Sequence, residues 1–248
     1  MVYFSDRTRA ENISWILANV GSAIWSFGYF SMLTASSKEV AWLSNWIMHA
    51  AAIFIPLFYF LFSINLTNQY RKFKWILLPG SVLAVFFTVI NTTPYFIKDV
   101  FPKYIFKFAP DAGPFYIYFA IYFFALVIAA LLVVLRGVTH SEGQEKLRLK
   151  YIFLTGLLGF LGGGGVFFLT FNVNIPPYLI ILYSIYPLLI TYAMFKHKVF
   201  DTKVVSTELL MFALWIALLF RFLLAETLQD RIFNLILLLA VFITGIFL

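Results

Sequence analysis

Long apolar runs, each close to the length that crosses a bilayer and each separated from the next by a short polar break, constrain this 248-residue chain more than any other feature. A hydrocarbon core about 30 Å thick is spanned by about 20 residues rising 1.5 Å each. Runs of that kind lie at 13–34, 40–64, 75–97, 115–135, 151–171, 178–195, 209–225 and 232–248. None has the alternation over about ten residues that marks a strand of an outer-membrane barrel. The expected fold is therefore all-α, a polytopic transmembrane helical bundle of about eight helices. Composition agrees, because 62% of residues are hydrophobic and 12% charged, and lipid tails can solvate so apolar a surface where water cannot. Pro56, Pro79, Pro187 and the run Gly162 to Gly165 fall inside apolar runs and are expected to mark kinks or close helix contacts.

Charge sets an orientation. With the N-terminus cytoplasmic, alternate breaks place Arg7, Arg9, Arg71, Lys72, Lys74, Arg136, Lys146, Arg148, Lys150, Lys196, Lys198 and Lys203 inside, twelve of the 18 Lys and Arg. Lys38, Lys98, Lys103, Lys107 and Arg231 fall outside, and Arg221 falls within a run. The positive-inside rule then expects both termini in the cytoplasm. The basic balance is that of cytoplasmic loops, and no nucleic-acid partner is expected. The absence of cysteine excludes disulfide scaffolds, thiolate nucleophiles and thiolate metal sites, and no cofactor is expected. Both ends read as cut, with a short basic loop at the start and an apolar run at the end that lacks an anchor.

The most specific stretch runs from Leu135 to Val205. A basic loop with Gly143, Lys146, Leu149, Lys150 and Tyr151 enters a glycine-rich helix, and Arg148 stands where glutamine is common. Farther on come Tyr192, Ala193, Met194, Lys196, Phe200, Asp201, Lys203, Val204 and Val205. The pair resembles the N-terminal seven-transmembrane region of bacterial histidine kinases, and Asp6 to Thr34 is similar to that family's second helix with its arginine-containing lead-in. The resemblance implies residues 1–205 as a sensor region lacking its first helix, with residues 206–248 an added hairpin leading to a cytoplasmic output domain. It also implies a homodimer formed through the full-length kinase, in the bacterial cytoplasmic (inner) membrane. The family's phosphoacceptor histidine and ATP-binding box have no counterpart here, so this segment is not expected to be an enzyme.

Polar groups at membrane depth are candidate contacts for a stimulus. His49, with Asn45 and Trp46 one turn away, reads either as a neutral histidine bonded to a neighbouring helix or as a ligand contact, and Asn91 and Thr92 fall near the outer end of the third run. Arg221, near an outer end, is expected to snorkel outward and meet Glu226 or Asp230 as an interfacial charge. Gly162 to Gly165 is flanked by Leu161 and Val166, which suits close helix packing and not phosphate cradling. Between residues 98 and 113 aromatic residues alternate with lysines, as in an interfacial belt or a cap over a cavity.

Three function classes follow. A signal-input module needs a two-state helix arrangement biased by an unknown small-molecule or membrane-derived stimulus and no catalytic side chain. A small-solute transporter needs midplane charges, a repeat or paired broken helices, and no convincing repeat is visible. An intramembrane enzyme needs clustered His, Asp or Glu on facing helices, whereas the acidic residues here lie almost entirely in breaks. The first class is expected, with the lipid bilayer as partner.

Overall fold

A computed structural model of the chain describes residues 10–173, 175, 177–186 and 189, and then 214, 218, 229, 230, 234–239 and 241. The described part is mostly helical. Helices α1 (Ala10–Leu33), α2 (Lys38–Leu66) and α3 (Tyr70–Ile90) come first, followed by strands β1 (Ile97–Lys103) and β2 (Phe106–Ala112), and then by α4 (Tyr116–His140), α5 (Gly143–Gly164) and α6 (Val166–Thr170). With α5 and α6 taken together as Gly143–Thr170, five helices are long and apolar enough to cross a membrane. They coincide with the first five apolar runs. Residues 180–186, within the sixth run, are helical, while the seventh and eighth runs fall mostly outside the described residues.

The order of elements folds the chain back and forth along one axis. α2 is the hub, packing on α1, α3 and α4, and α5 closes the group against α4. Most of α2 is buried, whereas α1 and α3 turn large apolar side chains outward: Phe27 is 71% exposed, Trp75 73% and Val89 70%. A surface of that kind facing water would drive association, and facing lipid it needs no cover. α2 and α3 run on through Pro56 and Pro79. Two asparagines stop helices. Asn68 and Asn172 adopt φ of 55° and 60°, and behind each the chain closes the two-bond cap of a Schellman motif. Gln69 and Asn68 donate to the Ile64 and Asn65 carbonyls, and Val173 and Asn172 to those of Phe168 and Leu169.

Two expectations are corrected here. The third run was expected to stay helical to residue 97, but α3 ends at Ile90 and Ile97 opens a strand. The all-α reading fails over the next segment, where β1 and β2 form an antiparallel hairpin with Val100 opposite Pro110 and Lys103 opposite Phe106. The residues that suggested an interfacial belt lie on these two strands, where register shifts break the regular alternation and β1 buries Ile97, Val100 and Lys103. Ile97, Val100 and Ala109 point into the protein, each at most 1% exposed.

The hairpin sits on one end of the bundle, held by polar contacts to both neighbouring loops. Lys38, at the start of α2, meets Asp99 at 2.7 Å, and Lys107 donates to the Ser36 carbonyl at 3.0 Å. On the other side the Tyr104 hydroxyl donates to the Val173 carbonyl at 3.2 Å, which helps hold Tyr104 at φ 53° in the tight turn. The hydrogen bond from Lys38 is the main cause that lowers the pKa of the Asp99 carboxyl. A carboxylate with a depressed folded pKa contributes stability above its unfolded pKa and loses it as pH falls through the folded value. Because both partners are substantially exposed, the contribution is below about 1 kcal/mol. Asp99→Asn is therefore expected to lower the melting temperature only slightly at neutral pH and to lose that difference in acid, as thermal scans across pH 3 to 7 would read.

Candidate functional site

The candidate site is built around the polar positions of α2. Asn45 and His49 lie one turn apart on its buried face, 0% and 2% exposed. His49 Nδ1 is 3.0 Å from the Asn45 carbonyl, which can only accept, so Nδ1 carries a proton. Nε2 lies 3.2 Å from the Tyr116 hydroxyl on α4, and an imidazole protonated at Nδ1 alone accepts the Tyr116 proton there. Both ring nitrogens are thus satisfied with no charge in the apolar interior. Phe96, just before β1, stands edge-on to the His49 ring at 5.4 Å and joins the end cover to the bundle. Tyr116→Phe leaves Nε2 unpaired, and stability is expected to fall by about 0.6 kcal/mol, the mean for hydrogen bonds between membrane helices, in thermal unfolding of the purified protein.

The other polar positions separate. Asn91, at the end of α3, donates through Nδ2 to the Trp46 carbonyl at 2.8 Å and so ties α3 to α2 beside Asn45. Its Oδ1, both side-chain polar atoms of Asn45 and Trp46 Nε1 are buried without partners among the described residues. Thr92 is exposed in the following turn and stands apart from them. Arg221 and Glu226 lie outside the described residues.

A cavity of about 80 Å³ opens beside His49 between α1, α2, α4, α5, α6 and residues 183–186. By volume it holds a few waters or one small molecule. α1 contributes Trp15, Asn19, Ser22 and Trp25 at helical spacing; α2 contributes His49, Ala52 and Tyr59; and α5 contributes Thr155 and Gly156. Tyr116, Phe119, Phe123 and Phe167 close one wall. No Asp, Glu, Lys or Arg among the described residues lines it. Of the residues singled out from sequence, His49 and Gly163 of the glycine run reach the cavity, whereas Asn45, Asn91 and Thr92 do not. The signal that could have found the rest is a polar stripe of Asn19 and Ser22 on α1 and small residues Gly156 and Gly159 along α5.

The glycine run supplies the other half of the site. A Cβ at Gly162 would collide with the backbone nitrogen of Tyr183, and one at Gly165 would come 2.9 Å from the Leu179 Cβ. Residues 179–186 therefore lie in a groove that only glycine leaves open, as expected for close helix packing. Hydrogen bonds fasten the same segment to α1. The Tyr186 hydroxyl donates to Asn19 Oδ1 at 2.7 Å, and the Tyr183 hydroxyl lies 3.4 Å from the Ser22 carbonyl. The segment both walls the cavity and leads onward along the chain.

The profile of the family described as N-terminal 7TM region of histidine kinase covers residues 1–203. Comparisons with curated proteins and with solved structures give no match.

Proposed function

Since this chain belongs to the family of N-terminal seven-transmembrane regions of histidine kinases, we propose that it is the membrane-embedded signal-input module of a two-component sensor histidine kinase. The region itself is not catalytic. The supporting observation is the cavity, whose wall includes Tyr183 and Tyr186 of the segment that leads along the chain toward residues 187–248. A stimulus that binds better when the Tyr183 and Tyr186 contacts are made, or when they are broken, biases a two-state arrangement by its difference in affinity. Nothing in that device needs an ionised side chain.

The finer reading has eight spans, both termini in the cytoplasm, the β1–β2 hairpin on the outer face and the protein in the bacterial inner membrane. Residues 1–205 receive the stimulus, residues 206–248 form a further hairpin, and a cytoplasmic kinase working as a homodimer reads the result. In this reading His49, Asn45 and Asn91 are the polar contacts that the rearrangement remakes, Thr92 lies at the outer rim, and Arg221 with Glu226 anchors the later hairpin at the interface. The intact protein in proteoliposomes is expected to phosphorylate itself on histidine from ATP and to show no saturable solute uptake. Uptake without phosphorylation would replace this reading with a small-solute transporter.

A further inference from the structure

We propose that the cavity beside His49 and Tyr59 is the binding site of a small uncharged molecule, with an apolar body enclosed by aromatic rings and one polar atom hydrogen-bonded to the Tyr59 hydroxyl. The inference deepens the sensor reading and rests on it for the signalling role of the site, though not for its occupancy.

The chemistry of the wall selects the ligand. Trp15, Trp25, Phe119, Phe123 and Phe160 give the cavity an aromatic lining, and no formally charged side chain among the described residues faces it. An anion would be buried there with no cation to meet it, and ring faces would offset only part of the desolvation of a cation. Most polar groups on the wall are already engaged. His49 uses both ring nitrogens, Thr155 donates to the Tyr151 carbonyl at 2.8 Å, and Asn19 donates to the Trp15 carbonyl and accepts from Tyr186. Tyr59 differs. Its residue is 4% exposed, its hydroxyl is set against Gly156, and that hydroxyl has no hydrogen-bond partner among the described residues. A buried hydroxyl without a partner is costly, so a ligand carrying one hydroxyl or carbonyl gains the bond that the protein leaves unmade.

Size narrows the class further. The volume of about 80 Å³ is about half that of an engineered apolar cavity that takes benzene, so a short chain with one polar substituent fits as the cavity stands, and a ring bearing one enters as side chains of the wall shift outward. A larger amphiphile would place only one end inside.

The six tryptophans make the test local, because Trp15 and Trp25 line the cavity and Trp42, Trp46 and Trp75 do not. The protein is labelled with 5-fluorotryptophan, placed in nanodiscs and titrated with benzyl alcohol, benzoate and benzylammonium while fluorine NMR is recorded. Benzyl alcohol is expected to shift the Trp15 and Trp25 resonances saturably, at least tenfold more tightly than either ion, with the other resonances moving only linearly as the probe partitions into lipid. Ala52→Leu, which adds a bulky side chain to the cavity wall, is expected to abolish the saturable shift, and Tyr59→Phe to weaken it about five- to tenfold. Equal affinity for an ion would overturn the uncharged class, and linear shifts alone would overturn the site. Should Ala52→Leu fail to fold, unchanged affinity in Tyr59→Phe would still overturn the hydroxyl contact. Saturable binding that leaves autophosphorylation of the intact protein unmoved would overturn the sensor reading and leave the site standing.

Discussion

Lys103→Met is expected to lower the unfolding free energy by about 3 to 5 kcal/mol, the cost of removing one member of a buried charged network. The Lys103 side chain is 7% exposed, and its ammonium lies 2.7 Å from the Pro110 carbonyl, 3.0 Å from that of Leu169, 3.4 Å from that of Thr170 and 3.3 Å from the Asp111 carboxylate. Leu169 and Thr170 close α6, so the charge also meets the negative end of the last helical turn. Burial pushes the lysine pKa down, and Asp111 pulls it back up. Asn172 holds Asp111 in place at 2.6 Å. Methionine keeps the length of the chain but removes a charged donor from a carboxylate and three carbonyls. Thermal unfolding of the purified protein reads the loss, and hydrogen exchange should show it concentrated in the hairpin and residues 169–173. Lys98→Met, at an exposed position of the same strand, is the control and should stay within about 0.5 kcal/mol of the parent.

Gly162→Leu is expected to cost about 3 kcal/mol or more, and to do so by displacing residues 179–186 from α5. The added Cβ meets a backbone atom, the Tyr183 nitrogen, which no rotamer change can move aside. Because Tyr183 and Tyr186 wall the cavity and bond to α1, the displacement breaks the Tyr186 to Asn19 bond as well. Gly163→Ala is the matched control. Its Cβ finds its nearest neighbour, the Tyr183 ring, at 3.7 Å, an ordinary contact, and a change below about 1 kcal/mol is expected. Loss of hydrogen-exchange protection over 179–186 in the leucine variant alone is the expected result.

These two sites also mark where sequence reasoning reached and where it stopped. The first five spans were legible because lipid imposes a length and an apolarity that no other solvent does. The glycine run was legible as a packing surface because apolar flanks leave it nothing else to do. The hairpin was missed because its strands are seven residues each, carry three lysines and two prolines, and lack the regular alternation that marks a strand with one buried face. Lys103 was placed at the interface for the same reason. Its partners are main-chain carbonyls 66 and 67 residues away, and a carbonyl has no signature in sequence. His49 stood out as a histidine within an apolar run, but its fate depended on Tyr116 of another helix. The cavity was not legible, since it is a property of five helices together, and Tyr59 alone would pass for an ordinary aromatic core residue.

The central claim is that the helices cross a membrane with the hairpin outside, so that a signal received in the bundle travels inward. The chain contains no cysteine, so single introduced cysteines report without background. Ile105, at the hairpin tip, is 91% exposed; Ile128 lies midway along α4 at 55%; and Glu145 begins α5 at the opposite end. With a membrane-impermeant maleimide, Ile105→Cys should label in intact cells, Glu145→Cys only after permeabilisation, and Ile128→Cys in neither condition. Labelling of Ile128→Cys as fast as Ile105→Cys, or of Glu145→Cys from outside while Ile105→Cys stays protected, would contradict the account.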